Sequence, residues 1–92
     1  MLSPFMKLAH HDDVGVAIRK IPAGTEVGDL LVRDEIPMGH KVALHEIAKG
    51  AQVLKFGVPI GRASREIARG ELVHTHNLTS DYLVNDVDHF EQ

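Results

Sequence analysis

Short apolar runs separated by glycine-containing turns dominate this chain. Runs rich in Val, Ile and Leu, which are typical of β-strands, span 14–18, 30–32, 52–56 and 72–74. The longest helix candidate, Val42–Ala48, would make at most about two turns before Gly50 stops it. The segment 57–61 is expected to form a further turn or bulge, because Pro59 is unsuited to a central strand. The pattern therefore predicts a compact, mostly-β domain with many short strands.

One phrase recurs four times and consists of Ile, two residues, Gly, two residues and an apolar residue. The copies occupy 21–27, 36–42, 47–53 and 67–73. They follow one another at intervals of 15, 11 and 20 residues, so the phrase is a repeated turn and not a solenoid repeat. Pro22 and Pro37 at the second position, with Gly at the fourth, favour a type I turn whose flanking apolar residues lie in the core.

Composition narrows the classes of function. The chain has 92 residues, enough for one domain, and a net charge of −3 with ten basic residues scattered among thirteen acidic ones. That charge, together with only three Phe, one Tyr and no Trp, argues against nucleic acid as a ligand. The absence of cysteine excludes disulfides, thiolate metal sites and cysteine nucleophiles. No stretch approaches the ~20 apolar residues of a membrane span, and the first residues do not resemble a signal peptide, so we expect a cytoplasmic protein.

The chain has seven histidines, which is many for its length. The strongest local cluster of them is His74-Thr75-His76-Asn77. If this segment continues the preceding strand, His74 and His76 lie on one face about 7 Å apart, where two imidazoles can share a metal or bind a carboxylate. A zinc or iron site normally needs at least three protein ligands, so the others would come from elsewhere in this chain or from another chain. The alternative is a pair of exposed histidines at the end of an edge strand.

A second candidate site is the pair His40-Lys41, which follows the second copy of the repeated turn. None of the other three copies carries imidazole beside ammonium at these positions. Both side chains can donate hydrogen bonds to an anionic ligand. The alternative is a solvated turn without a function.

A third cluster, His10-His11-Asp12-Asp13, precedes the first predicted strand. Imidazole and carboxylate groups together can bind a hard divalent ion or exchange protons. We favour a structural interpretation, in which the Asp residues hold the chain where the strand begins. His45 and His89 have no supporting pattern and are predicted to be surface residues.

Four blocks of this sequence closely resemble the amino-terminal domain of altronate and galactarate dehydratases. The blocks are Asp12–Ala17, Ile36–Leu44, Lys55–Ala63 and His74–Leu78. In that family the domain is of the SAF type, similar to the antifreeze-like domain of sialic acid synthases, with a β-clip fold. The resemblance covers about residues 8–78 and leaves 79–92 as a tail, which would act as a linker or a partner-docking segment.

The resemblance implies a lyase that eliminates water from a small hydroxy acid of the altronate or galactarate type, together with a larger catalytic region or subunit. It also implies a divalent metal, iron in the first place, held mainly by that partner. Within this chain it points to catalytic roles for His40 and Lys41, substrate binding by Lys41 and Asn77, and metal ligation by His74 and His76.

Two other functions remain open from the sequence. One is the alpha subunit of sulfolactate sulfo-lyase. That subunit is similar to this domain without a larger catalytic region, and its enzyme eliminates sulfite rather than water. The other is a non-catalytic module that binds a sugar acid or closes over a partner's active site. Neither nucleic acid nor membrane is expected as a partner, and a homo-oligomer is left open.

Overall fold

The computed structural model of this protein describes residues 4–6 and 12–80. Every regular element within these residues is a strand, which confirms the mostly-β prediction. The strands are β1 (Phe5–Met6), β2 (Val14–Ala17), β3 (Glu26–Val27), β4 (Leu30–Leu31), β5 (Lys41–Ala43), β6 (Gln52–Lys55), β7 (Val58–Ala63), β8 (Leu72–Val73) and β9 (Leu78–Thr79).

The strands form three antiparallel sheets, with β5 near the centre of the largest. This four-stranded sheet has the order β1-β2-β5-β8, the hairpin β3-β4 stands beside it, and the third sheet has the order β6-β7-β9. In β5, Lys41 lies opposite Val16 of β2 on one side and opposite Val73 of β8 on the other. The strand segments predicted from the sequence are therefore present. Neighbours in a sheet are often distant in the sequence: β5, for example, lies between β2 and β8.

The core lies on both faces of β5. Val42 packs in one cluster with Ala17, Ile21, Val32 and Ile36. The next residue, Ala43, packs in a second cluster, whose other buried members are Val14, Ile47, Val53, Ala63, Ile67 and Val73. Successive residues of a strand point to opposite faces, so one short strand joins the two clusters.

The four repeated phrases form four similar turns that meet in two pairs. Bridges join Ile21 to Ile36 and Ile47 to Ile67. In the second copy, the His40 N–H donates to the Pro37 carbonyl (3.0 Å), and the glycine between them has a φ of +85°. Positive φ at the third position of a turn is the signature of type II. The expected type I turn is thus wrong, because each turn begins one residue later than the phrase suggests.

One further prediction of local structure is wrong. No helix forms over Val42–Ala48, because neighbouring strands take its hydrogen-bonding groups; the Leu44 N–H, for example, donates to the Asp13 carbonyl (2.9 Å).

The turn or bulge expected over 57–61 is present: Gly57 lies in the turn after β6, and Val53 pairs with Gly61 whereas Leu54 pairs with Pro59, which leaves Ile60 as the extra residue of a bulge in β7. Pro59 is tolerated there because β9 pairs only with Arg62 and Ala63, which leaves the Pro59 end of β7 as an edge, next to a shift in the β6–β7 register.

The domain limits of 8–78 and the role of the tail stay predictions. Strand β1 adds residues to the main sheet ahead of residue 8, and residues 81–92 of the tail lie outside the described residues. In the described part of the chain, no helix has the length and apolar character to span a membrane.

Candidate functional site

The imidazoles of His40 and His74 lie against each other. Their ring centroids are 4.9 Å apart and their planes are inclined by 48°. The β5–β8 register accounts for this contact, because Lys41 lies opposite Val73 and the next residues outward are His40 and His74. Two clusters that the sequence offered as separate candidates thus meet at one end of the main sheet.

His74 and His76 are not arranged as neighbours along a strand. Strand β8 ends at Val73, and the His74 carbonyl accepts hydrogen bonds from the Asn77 N–H (3.0 Å) and the Leu78 N–H (2.9 Å). The chain therefore turns at His74, and the strand alternation assumed for the two histidines is wrong. Both side chains are exposed.

The described residues do not form a complete metal site. Within 4–6 and 12–80, no three His, Asp or Glu side chains come together as a group that could hold an ion. The His40–His74 pair supplies two imidazoles, one fewer than a zinc or iron site normally takes from protein. Metal ligation by His74 and His76 stays a prediction that needs ligands from another region.

Asn77 is fully buried and holds the loop that carries His74. Its Oδ1 accepts a hydrogen bond from the His74 N–H (2.9 Å), and its Nδ2 donates to the Leu72 carbonyl (2.9 Å). Both ends of the amide are therefore occupied within the loop. The substrate-binding role of Asn77 stays a prediction, whereas its contacts make it a positioning residue for His74.

Lys41 is half-buried and faces away from His40. The two residues are adjacent at the start of β5, where alternation directs them to opposite faces of the sheet. Burial lowers the pKa of the Lys41 ammonium, and the positive charge of Lys55 lowers this pKa further. The expected His40–Lys41 pair is thus divided.

The two acidic residues before β2 anchor the β6–β7 hairpin. The buried Asp12 accepts a hydrogen bond through Oδ1 from the Gly57 N–H (2.7 Å), and Asp13 accepts one through Oδ2 from the Leu54 N–H (2.7 Å). These contacts agree with the structural interpretation of Asp12 and Asp13. His10 and His11 of the same cluster lie outside the described residues, as does His89.

His45 makes a long-range contact that sequence reasoning missed. Its Nε2 donates to Asp13 Oδ1 at 2.7 Å, and its Nδ1 lies 2.8 Å from the Glu46 carbonyl oxygen. The side chain is exposed, as predicted, but it fixes the end of β5 to the start of β2. No local pattern signals this contact, because it joins residues 32 positions apart.

A cavity of about 380 Å³ lies elsewhere, around the Ile47–Ile67 bridge. Three carboxylates line it, from Glu46, Glu66 and Glu71. A cavity with this lining repels an anionic ligand, so it does not suit a sugar acid. The histidine and lysine groups instead lie on open surface, where another protein region can complete a site.

The sequence matches known proteins over most of its length. Residues 3–81 match the family model described as the altronate/galactarate dehydratase SAF domain. The chain is 40% identical to altronate dehydratase of Escherichia coli over 94% of its length, and 38% identical to altronate dehydratase of Bacillus subtilis over 83%. It is also 37% identical to the (2R)-sulfolactate sulfo-lyase subunit alpha of Chromohalobacter salexigens over 73% of its length.

The relatives differ in how much of their own length the chain covers. It spans 18% and 16% of the two altronate dehydratases, but 83% of the sulfo-lyase subunit. It thus corresponds to a small part of the former and to most of the latter. From the family-model match and these identities, the chain belongs to the SAF domain family of altronate and galactarate dehydratases.

Proposed function

We propose that this chain is the SAF domain or small subunit of a sugar-acid hydro-lyase of the altronate/galactarate type, and that it acts only with a larger catalytic region. The identity to altronate dehydratases supports the reaction class. The small share of those enzymes that the chain covers supports the need for a partner region. We place the complex in the cytoplasm, with or without association between copies of this chain.

Elimination of water beside a carboxylate needs three groups. A base removes the α-proton, cations bind the carboxylate, and an acid or metal assists the departing hydroxyl. His40 and His74 offer imidazoles that can transfer protons. Lys41 offers an ammonium for a carboxylate, on the other face of β5 from these two imidazoles. Because these residues are fewer than the reaction needs, the remaining groups are assigned to the partner region.

A divalent metal, with iron as the first candidate, belongs to the same proposal. Since the described residues do not form a complete site, the partner region would supply most of its ligands. His74 and His76 remain the ligands that this chain would add.

The observation that carries the proposal is the contact between His40 and His74. It joins two of the segments that resemble the dehydratase domain and leaves both rings at the surface end of β5 and β8. The fold does not require an imidazole at position 40, because the corresponding positions of the other turns carry Thr25, Ala51 and Glu71.

The test is reconstitution with the larger catalytic region. The chain alone should show no dehydration of altronate or galactarate, and addition of the partner should restore it. His40→Gln should lower the activity of the complex at least about tenfold, a typical lower bound for loss of a proton-transfer group. His45→Gln, a matched change at a histidine outside the pair, should leave activity within about twofold. Turnover by the chain alone, or full activity of His40→Gln, would contradict the proposal.

A second candidate is the alpha subunit of a sulfolactate sulfo-lyase. The observation in its favour is that the chain covers 83% of such a subunit from C. salexigens. Assays of the complex with altronate, galactarate and (2R)-sulfolactate separate the two, because only the last releases sulfite. A third outcome, binding of the sugar acid without any effect of His40→Gln on turnover, would favour the non-catalytic module.

A further inference from the structure

Among the described residues, three of the five exposed large apolar side chains lie at one end of the main sheet. They are Met6 (46% exposed), Ile18 (44%) and Met38 (69%). The other two, Leu31 and Val58, lie on β4 and β7, outside this sheet. Single exposed apolar residues are ordinary in a protein surface, whereas a contiguous group of them is typical of an interaction surface.

Backbone hydrogen bonds bring Ile18 and Met38 together. The Gly39 N–H donates to the Ala17 carbonyl (2.8 Å), so one hydrogen bond joins the peptide group that precedes Ile18 to the peptide group that follows Met38. Three residues after Ile18, the bridge between the first two repeated turns joins the same two segments again. The segment 18–20 therefore runs alongside the second turn.

Strand β1 extends this group on the other side of Ile18. The Ile18 N–H donates to the Pro4 carbonyl (2.9 Å), and Met6 lies opposite Val16, two residues before Ile18. Met6 is thus a diagonal neighbour of Ile18 across two strands, at a separation that long side chains bridge. We call Met6, Ile18 and Met38 the apolar patch.

The fold does not require a large apolar side chain at position 38. The same position of the other three repeated turns carries Ala23, Lys49 and Arg69. Covering the exposed Met38 side chain with another surface removes apolar area from water, which favours association in proportion to that area.

Two basic residues border the apolar patch. Arg19 and Lys20 follow Ile18 directly and are exposed, and neither forms an ion pair within the described part of the chain. Protein interfaces combine an apolar centre with a polar rim of complementary charge. The surface that fits this patch therefore carries apolar side chains bordered by Asp or Glu.

The apolar patch also adjoins the two imidazoles of the candidate site. His40 Nδ1 lies 3.4 Å from the Met38 carbonyl oxygen, and the His40 ring contacts His74. A protein surface that covers Met38 therefore lies beside the imidazole pair. The chain covers 18% and 16% of the two altronate dehydratases, so most of each enzyme lies outside it and can provide such a surface.

We propose that the apolar patch is the surface on which the larger catalytic region docks, and that this docking brings groups of that region to the His40–His74 pair. The identity of the partner rests on the proposed function, whereas the surface rests on the exposure and the backbone contacts of its residues. Met38 is its central residue, because it is the most exposed of the three and lies next to the pair.

The first experiment measures the affinity of the chain for the catalytic region by calorimetry. Met38→Ala, which reproduces the residue of the first turn, should weaken association at least about tenfold, a factor typical of covering a methionine side chain. Ile18→Ala should act in the same direction. Val58→Ala, at a similarly exposed residue on β7, is the matched control and should change affinity by no more than about twofold. All three variants should melt at the temperature of the unaltered chain, because the three positions are exposed.

The charge of the partner surface is tested by salt and by Arg19→Glu. The affinity should fall as the salt concentration rises, and Arg19→Glu should slow association, because opposite charges at the rim of an interface steer the two surfaces together. Association that is insensitive to both changes would refute the acidic border assigned to the partner.

The second experiment observes the apolar patch directly by NMR. Labelling of the methionine methyl groups reports on Met6 and Met38, which are two of the three methionines of the chain. A soluble paramagnetic probe should broaden both signals in the free chain, and the catalytic region should protect both. Protection already present in the free chain would overturn the proposal. If that protection depends on concentration, a second copy covers the patch, and if it does not, other residues of the same chain cover it.

The outcomes separate this inference from the proposed function. A complex that forms through the apolar patch but turns over none of altronate, galactarate and (2R)-sulfolactate supports the docking surface and contradicts the proposed function. A complex that turns over altronate, and that binds Met38→Ala and Ile18→Ala as tightly as the unaltered chain, overturns the docking surface alone.

Discussion

The role of a single residue in this domain depends on which residues the neighbouring strands place beside it. His40 and Lys41 are adjacent in sequence, but β5 directs His40 toward His74 and Lys41 to the opposite face. Asn77 was expected to bind substrate, but its amide group makes hydrogen bonds to the backbone of its own loop. The residue type determines which chemistry a side chain can perform. The strand register determines which side chains lie close enough to act together.

Lys41 should reduce the stability of the free domain. Burial and the Lys55 charge lower its pKa in the folded state, so the folded protein binds this proton less tightly than the unfolded chain does. The free-energy cost is present at pH 7 and disappears as the pH rises through the folded pKa toward the ordinary value of 10.5. We expect Lys41→Met to raise Tm at pH 7 by about 2–4 °C, the shift typical of less than 1 kcal/mol in a domain of this size. The gain should shrink toward pH 10.5.

The matched control for this melt is Lys49→Met, at an exposed turn lysine, which should leave Tm unchanged at every pH. A lower Tm for Lys41→Met at pH 7 would mean that the Lys41 ammonium stabilises the folded domain, which would contradict the prediction.

At the scale of elements, the four repeated turns all use the same backbone exchange. In each, the glycine N–H donates to the carbonyl of a buried residue in or next to another strand, and that residue's N–H donates back to the carbonyl of the residue after the glycine. The glycine and its buried partner are Gly24 with Val32, Gly39 with Ala17, Gly50 with Ala63 and Gly70 with Ala43. Each turn thus ties its own strand to a neighbour, which explains how such short strands hold together.

Gly24 and Gly70 provide a matched test of these turns. Their φ values are +89° and +90°, but a Cβ at Gly24 would meet open space, whereas one at Gly70 would collide with the Leu31 carbonyl oxygen. We expect Gly24→Ala to cost about 1–2 kcal/mol for the conformation alone. Gly70→Ala should cost at least about 2 kcal/mol more, because backbone must move.

Urea denaturation of both variants measures the difference directly. Equal losses for the two would show that the contact between the fourth turn and β4 is not rigid.

At the scale of the whole molecule, β5 joins the two hydrophobic clusters and also separates the imidazole pair from Lys41. The pair lies at the end of one face of β5, and Lys41 lies on the other face. The acidic cavity lies apart from both. The domain thus carries incomplete sets of functional groups, as expected of a part that completes a site on a larger protein.

The chain by itself should therefore bind divalent metal weakly. Two imidazoles in contact are fewer than the three or four ligands of a tight site, so calorimetry with Zn²⁺ should give a Kd no tighter than about micromolar. His74→Gln should weaken this binding further, and His45→Gln should not. A stoichiometric nanomolar site would contradict the prediction.

Much of the fold could be predicted from local pattern. The Val- and Ile-rich segments became strands because branched apolar side chains suit a pleated, half-buried surface. The repeated Ile–Gly phrase became four turns because glycine alone adopts positive φ without strain. The predicted turn type was wrong because each turn begins one residue later than the phrase suggests. The predicted helix over Val42–Ala48 was wrong because short apolar segments fit helix and strand alike until a partner strand takes their hydrogen bonds.

The sequence by itself determined where strands and turns occur, which chemistry the chain carries, and the family to which it belongs. Only the tertiary structure decided that His40 meets His74, that His45 binds Asp13 and that Asn77 is buried. The physical reason is the separation along the chain between the residues that determine each feature. Turns depend on φ preferences within four residues, whereas these contacts depend on the register between strands far apart in the chain, where a shift of one residue would send every side chain to the other face.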